Sequence, residues 1–337
     1  MKGFYINIIQ EIFLATIKEE LELQKRQMDN LLGDMQRLVP LFETKTITDI
    51  FVYGDGRVQV KDFIKGKYNT EINLSDSERK RIIYSLASVS DTPIDTWARP
   101  TLESIVPIYN IRTTAILPPW VVSPEITFRK PPDKIFTLEE YITEGRLSQE
   151  LYDKIVYHIK ERKNILISGA TGSGKTTFTN ACIEKMYEFT PDERLYIVED
   201  VPELQCRSPD KTQLYIRKSQ AVDAVQTAFR WTPNRIIFGE LRSGVVAIEL
   251  LQAWISGHPG NITTVHADSA TAAIPRMEGL LRENIVGQLP DLEEYIHLVV
   301  HVYFRPDFGP CVKEALTVKE IQEARNDINK VNLYSNS

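Results

Sequence analysis

The first third of the chain combines a long helical pattern with alternating strand patterns. Residues 1–39 are rich in helix-forming residues and predict a helix that ends at Pro40. Residues 47–63 alternate between apolar and polar positions on both sides of a Gly-Asp-Gly turn signal, which predicts a β-hairpin. Residues 75–89 open with capping residues and predict a second helix, and residues 101–129 are β-like with interrupting prolines. We therefore predict an α+β domain with a leading helix over residues 1–130.

A different pattern follows the proline pair Pro131-Pro132, which stiffens a predicted linker over residues 131–137. Residues 137–163 are predicted to be helical, and from residue 164 short apolar strands alternate with helices. The predicted strands are NILIS, RLYIVE, TQLYIR, RIIFG, NITTVH and HLVVHVYF. This alternation is typical of a parallel sheet with helices on both faces. It predicts an α/β domain over residues 138–320 and a polar tail over residues 321–337.

The composition agrees with two soluble domains. The 337 residues are 42% hydrophobic and 26% charged, which is ordinary for globular proteins. A net charge of −6 argues against general nucleic-acid binding. The three cysteines, Cys182, Cys206 and Cys311, lie far apart, so we expect buried free thiols in a reducing compartment rather than disulfides or a zinc site.

The first twenty residues come nearest to a membrane-spanning segment, but their apolar run is too short and too polar for a membrane span. Its apolar residues instead fit one face of a helix, namely Ile8, Ile9, Ile12, Phe13 and Ile17. We favour packing of this face on its own domain. Contact with a membrane surface or a partner is the alternative interpretation.

The segment GATGSGKTT matches the phosphate-loop pattern G-x-x-x-x-G-K-[ST], with a predicted strand before it and a predicted helix after it. In such a loop the backbone N–H groups bind phosphate oxygens, Lys175 reaches the β- and γ-phosphates, and the Thr176 hydroxyl binds Mg²⁺. The sequence therefore predicts a nucleoside triphosphate site, with ATP as the favoured nucleotide. Its predicted binding residues are Gly169, Ala170, Thr171, Gly172, Ser173, Gly174, Lys175, Thr176 and Thr177.

Acidic residues follow two further predicted strands. Glu240 comes directly after RIIFG, where its carboxylate can hold Mg²⁺ through water or orient the attacking water. Glu199, Asp200 and Glu203 lie at the end of RLYIVE, and one of them can act as general base. We favour Glu203, because Glu199 still belongs to the predicted strand.

A histidine, His266, ends the β-branched strand NITTVH in the segment ITTVHADSA. An imidazole at this position can sense or stabilise the γ-phosphate. A purely structural histidine is the alternative. No second histidine or cysteine lies at metal-ligand spacing, which argues against a metal role.

These four segments, in this order, resemble the secretion ATPase superfamily of type II and type IV secretion, pilus assembly and conjugation. GATGSGKTT is similar to its Walker A motif, VEDVPEL to its Asp box, GELR to its atypical Walker B motif and TTVHADSA to its His box. The stretch AWISGHPGNITTVHADSATAAIPRMEGL most closely resembles the TrbB-like conjugal transfer branch.

The resemblance implies a RecA-like P-loop NTPase motor domain preceded by a smaller, PAS-like α+β domain, with Mg-ATP bound between them. It also implies that six protomers form a ring. By position, Arg112 and Arg129 match arginines that reach the nucleotide phosphates in relatives. Arg242 matches a position from which it can link the Walker B turn to a neighbouring protomer.

The function implied is that of an ATP-hydrolysing hexameric motor for a type IV secretion, conjugation or pilus apparatus. We expect a cytoplasmic protein, peripherally associated with the inner membrane, whose partners are channel components; direct contact with nucleic acid is not predicted. Three alternatives stay open: a RecA-like motor acting on nucleic acid, a P-loop small-molecule kinase, and a module that binds nucleotide without hydrolysis. The first predicts a basic, aromatic track lining a pore, the second a substrate lid, and the third a loss of the carboxylates.

Overall fold

The structure, a computed structural model, describes residues 2–62, 64–131 and 135–325, without the side chains of residues 2–17 and 218. The chain divides into two compact units, residues 1–133 and 134–337. Three predicted features lie wholly or partly outside the described part of the chain. They are the apolar side chains of residues 8–17, linker residues 132–134 and tail residues 326–337.

The first unit contains a six-stranded antiparallel sheet of order β3-β2-β1-β6-β5-β4. The predicted hairpin, second helix and proline-interrupted strands are all present, and the helix begins with a capping box at Ser75. β3 was not predicted, because its residues are exposed or half-buried and give no apolar signal. The elements are α1 (Lys2–Asp34), α2 (Val39–Glu43), β1 (Ile47–Val52), β2 (Arg57–Asp62), β3 (Gly66–Asn73), α3 (Asp76–Val89), β4 (Thr101–Val106), β5 (Ile111–Ile116) and β6 (Glu125–Arg129).

The predicted end of the first helix at Pro40 is wrong. α1 ends at Asp34, and Pro40 lies in the first turn of α2 instead. Proline is tolerated there because the first amides of a helix have no intrahelical acceptor. Leu31 near the end of α1, Ile82 of α3 and Phe128 of β6 belong to the core of this unit.

The second unit contains a seven-stranded sheet of order β13-β12-β7-β11-β10-β8-β9. Six strands are parallel as predicted, and β13, which was not predicted, pairs antiparallel with β12 at the edge. The elements are α4 (Leu138–Thr143), α5 (Gln149–Lys160), β7 (Ile165–Ser168), α6 (Lys175–Phe189), β8 (Leu195–Glu199), β9 (Lys211–Tyr215), α7 (Ala221–Trp231), β10 (Arg235–Phe238), α8 (Gly244–Ile255), β11 (Ile262–Val265), α9 (Ala270–Arg282), β12 (Leu298–Arg305) and β13 (Gly309–Thr317). Residues 318–325 are helical.

Two details of the second unit correct the sequence predictions. The single helix predicted over residues 137–163 is two helices, α4 and α5, separated by a turn in which Gly145 has a φ of 68°. β8 and β9 are joined by residues 200–210, which form a loop without helix, although a helix was expected between each pair of strands.

Successive residues of the central strands pack on opposite faces of this sheet. Leu166 lies in the apolar cluster formed with α7, α8 and α9, whereas Ile165 and Ile167 lie in the cluster formed with α4, α5 and α6. Helices thus cover both faces, which confirms the predicted α/β fold. In such a sheet the carboxyl ends of the parallel strands share one edge, where ligands bind.

The three cysteines are buried and free, as predicted. Burial raises the pKa of the Cys182 thiol. Within the described residues, no helix is long and apolar enough to cross a bilayer.

Candidate functional site

The phosphate loop joins β7 to α6 in a conformation that exposes backbone N–H groups. Gly172 and Gly174 have φ angles of 76° and 92°, a region that favours glycine. Among the described residues, no acceptor is found for the amides of Gly172, Gly174, Lys175 and Thr176. A Cβ atom on Gly174 would also clash with Pro310. The loop is therefore a cradle of unpaired donors at a helix N-terminus, the usual form of an anion site.

Two side chains of the loop are also suited to an anion. The ammonium group of Lys175 donates hydrogen bonds of 2.9 and 3.1 Å to the carbonyls of Gly169 and Ala170. Burial lowers the pKa of Lys175, against the opposing effect of nearby Glu240. The Ser173 hydroxyl is buried, and no partner is found for it within the described part of the chain. Phosphate oxygens would satisfy these groups, so the loop fits the predicted nucleotide.

The three acidic residues at the end of β8 have different partners. The Glu199 carboxylate accepts hydrogen bonds from two backbone amides of the following loop, and burial raises its pKa to about 7. Asp200 forms a 2.7 Å ion pair with Arg242. Glu203 accepts a 3.1 Å hydrogen bond from the Thr176 hydroxyl. Of the three, Glu203 is therefore the one that faces the phosphate loop.

Glu240 and His266 follow the neighbouring parallel strands β10 and β11 and meet at the carboxyl edge of the sheet. Nε2 of His266 lies 2.7 Å from Oε1 of Glu240, without the alignment of a hydrogen bond. Nδ1 of the same ring lies 3.3 Å from Nζ of Lys175. Burial raises the pKa of Glu240, but the adjacent Arg242, His266 and Lys175 outweigh it, so the pKa lies below its ordinary value. Glu240 is therefore ionised at neutral pH.

Arg242 contacts acidic residues of its own chain. Its guanidinium forms 2.7 Å ion pairs with both Glu240 and Asp200. It thus connects the turn after β10 with the turn after β8. The expected link to a neighbouring protomer stays a prediction.

The two remaining predicted residues, Arg112 and Arg129, lie in the first unit. They face each other directly across β5 and β6, and Asp49 of β1 is the other cross-strand neighbour of Arg129. Among the described residues, neither guanidinium forms an ion pair or a side-chain hydrogen bond. Like charges at directly opposed positions destabilise a sheet, whereas Asp49 is an opposite charge on the other side of Arg129.

Two residues of the site were missed from the sequence. Asn180 of α6 donates to the carbonyl of Glu203 and accepts from the amide of Gln205, which holds the loop after β8 beside the phosphate loop. Gln213 of β9 donates a 2.7 Å hydrogen bond to Glu199. Asn180 had a sequence signal, a polar residue between the apolar positions of a helix. Gln213 had none, because its role depends on strand pairing.

Comparison with known proteins identifies close relatives of this chain. Residues 53–303 match the family described as "Type II/IV secretion system protein". The chain is 31% identical over 309 residues to the "Probable conjugal transfer protein TrbB" of Sinorhizobium fredii, which covers 90% of this chain and 92% of that protein. It is 33% identical over 277 residues to the "Conjugal transfer protein TrbB" of Rhizobium radiobacter, covering 79% and 84% of the two chains.

A solved structure supports the fold. The ATPase DotB of Legionella pneumophila matches with a TM-score of 0.62 at 21% identity, covering 84% of this chain and 80% of that chain. At this identity the likeness concerns the fold alone. The resemblance inferred from the four motifs is confirmed by the family match and the conjugal transfer relatives.

Proposed function

Because the chain belongs to the family of type II/IV secretion system proteins, we propose that it is the ATP-hydrolysing motor of a type IV secretion or conjugation apparatus. One observation carries this proposal. Lys175, Thr176, Glu203, Glu240 and His266 come from four separate segments and converge at the carboxyl edge of one sheet. They include a phosphate-binding lysine, a hydroxyl suited to Mg²⁺ and two carboxylates, which are groups that hydrolysis of a nucleoside triphosphate uses, together with a histidine.

Binding of ATP replaces contacts that the phosphate loop makes with itself. The phosphates accept hydrogen bonds from the free loop amides, and the Lys175 ammonium exchanges its carbonyl partners for the β- and γ-phosphate oxygens. A Mg²⁺ ion would be held by the Thr176 hydroxyl and, through water, by Glu240, and would neutralise charge on the phosphates. Negative charge that develops on the transferred phosphoryl group is thus stabilised by groups that are already in place.

Glu203 activates or orients the water that attacks the γ-phosphate. Its carboxylate already lies 3.1 Å from the Thr176 hydroxyl, beside the proposed metal ligand. Glu199 is held by the loop backbone and Asp200 by Arg242, and neither of them contacts Thr176 in the described contacts. An acceptor within reach of the water is the first requirement of a general base.

His266 reports the loss of the γ-phosphate, and two arginines contribute positive charge. The imidazole lies between Lys175 and Glu240, so a change in either partner alters its surroundings. Arg112 and Arg129 form no ion pair among the described residues, which leaves both guanidinium groups available to bind phosphate oxygens. We propose that both act on the bound nucleotide.

Six copies form a ring, and the ring works at the cytoplasmic face of the inner membrane against components of the secretion channel. The conjugal transfer relatives support this assignment of partners. Both carboxylates are present, which speaks against a module that binds nucleotide without hydrolysis. A small-molecule kinase or a nucleic-acid motor is not favoured by any described contact of the site.

The test is ATP hydrolysis by the purified chain beside Lys175→Ala and Glu240→Gln, with the mass in solution measured by light scattering with and without Mg-ATP. We expect slow hydrolysis by a species of about six protomers and a loss of at least ~100-fold in both variants. Lys160→Ala and Glu294→Gln, which alter exposed residues of the same types, serve as matched controls and should keep full activity.

Other outcomes would contradict the proposal in distinct ways. Rapid phosphate transfer to a small acceptor by a monomer would identify a kinase. Hydrolysis only in the presence of added nucleic acid would identify a nucleic-acid motor. Tight ATP binding by wild-type protein without any hydrolysis would identify a binding module.

A further inference from the structure

Helix α9 begins four residues after His266, and a carboxylate from another element holds its first amide. The N–H of Ala270 donates a 2.7 Å hydrogen bond to Oε1 of Glu314. Glu314 lies on β13, where it pairs with His301 of β12. A carboxylate beside the N-terminal amides of a helix is stabilised by the helix dipole. The start of α9 is thus attached to the edge of the sheet.

The other end of α9 is attached to the turn that carries Glu240. Glu283, the C-cap residue of α9, accepts a 3.0 Å hydrogen bond from the N–H of Gly244, which begins α8 four residues after Glu240. The two helices touch closely here, since a Cβ atom on Gly244 would clash with the carbonyl oxygen of Leu280. α9 therefore spans the distance between the turns that follow His266 and Glu240.

A third contact connects the start of α9 with the phosphate loop. Ser168, the residue before the loop, lies with its hydroxyl 3.0 Å from Nδ1 of buried His301 and 3.4 Å from the carbonyl of Ser269. His301 is the cross-strand neighbour of both Ser168 and Glu314. The same edge of the sheet thus holds the phosphate loop and α9.

We propose that Glu314 and Glu283 are positioning residues for ATP hydrolysis, which fix α9 so that His266 stays in place against Glu240. This inference rests on the proposed ATPase function. Neither carboxylate contacts a residue of the phosphate loop in the described contacts. Both act through backbone amides at helix starts, and the position of His266 relative to Glu240 depends on where those helices begin.

The test measures kcat, KM and ATP affinity for Glu314→Ala and Glu283→Ala. We expect kcat to fall by about tenfold to a hundredfold while ATP affinity changes less than about twofold, because misplacement affects the reaction more than binding. Glu314→Gln keeps the acceptor and should restore most of kcat. Glu314→Asp keeps the charge but is too short to reach Ala270, so it should behave like the alanine variant.

A double-mutant cycle separates positioning from general stability. In a His266→Ala background, Glu314→Ala should cause no further loss of kcat, because the group that it positions is already missing. Glu320→Ala is the matched control. It removes a carboxylate that accepts a 2.6 Å hydrogen bond from the Thr317 amide, away from the site, and should leave kcat unchanged.

The proposal is wrong if Glu314→Ala lowers kcat by the same factor in the wild-type and His266→Ala backgrounds. It is also wrong if Glu320→Ala lowers kcat as much as Glu314→Ala does. Loss of ATP affinity with unchanged kcat would overturn it as well. If the wild-type protein does not hydrolyse ATP, the proposed ATPase function is wrong. If the wild-type protein hydrolyses ATP normally but the double-mutant cycle shows independent losses, only the positioning role is wrong.

Discussion

At the scale of single residues, the groups proposed for catalysis contact one another. Lys175 is held by two loop carbonyls, Thr176 by Glu203, and Glu240 lies between Arg242 and His266. Each contact engages a group that we propose to take part in the reaction. Nucleotide binding must therefore exchange these protein contacts for contacts with phosphate and water, which couples binding to a rearrangement of the site.

Glu199 gives a prediction about pH at this scale. Its folded pKa of about 7 lies above its ordinary value, so its stabilising contribution is present at low pH and is lost as the pH rises from about 4.5 through 7. In Glu199→Gln the side chain stays neutral. The variant should gain on the order of 3 kcal/mol relative to wild type between pH 5 and pH 8.

Thermal unfolding of the two proteins at both pH values measures this gain. A stability difference that is the same at pH 5 and pH 8 would show that folding does not raise the pKa of Glu199. Glu294→Gln, which neutralises an exposed carboxylate, provides the control for charge alone.

At the scale of elements, the site depends on how closely the helices after the strands approach one another. Gly244 at the start of α8 touches the last turn of α9, whereas Gly279 inside α9 is exposed and has open space around its Cα. The packing therefore requires glycine at position 244 but leaves room for a larger side chain at position 279.

Substitution of these two glycines by alanine should have opposite effects. Gly279→Ala should stabilise the protein by about 1 kcal/mol, since alanine favours the helix interior. Gly244→Ala should destabilise it by about 1–3 kcal/mol, because the new methyl group forces α8 and α9 apart. Chemical denaturation of the two variants and the wild type measures the changes in the free energy of unfolding. Destabilisation by Gly279→Ala would indicate that this face of α9 contacts another protomer.

The arginine pair of the first unit gives a second prediction at this scale. Arg112→Gln removes repulsion from Arg129, so the nucleotide-free protein should become more stable by about 0.2–1 kcal/mol. The same change should raise KM for ATP. Thermal unfolding and steady-state kinetics test both effects. Arg57→Gln, on β2 of the same sheet, should not change KM, and unchanged KM in Arg112→Gln would exclude a role at the nucleotide.

At the scale of the whole molecule, the second unit contains all of the phosphate-binding loop, whereas Arg112 and Arg129, which we propose to act on the nucleotide, lie in the first unit. A ligand that binds only the folded state stabilises it in proportion to the logarithm of ligand concentration. Binding of ATP should therefore raise the free energy of unfolding of the unit that contains the loop.

Mg-ATP at about 100 times its Kd should stabilise the wild-type protein by about 2.7 kcal/mol and raise the unfolding temperature by several degrees. Lys175→Ala should lose most of this shift, whereas Lys160→Ala should keep it. Differential scanning calorimetry measures the shift. An equal shift in Lys175→Ala would place the nucleotide elsewhere.

The sequence by itself determined the features that are local in the chain. The phosphate loop is one contiguous segment, and the strands NILIS and RIIFG are recognisable because residues buried on both faces form continuous apolar runs. The hairpin around Gly56 is recognisable because its turn and both strands lie within a few residues of one another. For the same reason the family could be identified from four short motifs.

Only the tertiary structure decided which of the candidate groups meet. Lys175 and His266 are 91 residues apart, and their 3.3 Å contact exists because β7 and β11 are neighbours in the sheet. The order of strands also brings Glu314 of the unpredicted strand β13 to the start of α9. Spacing along the chain does not fix strand order, because the pairing of strands is decided by the packing of the whole core.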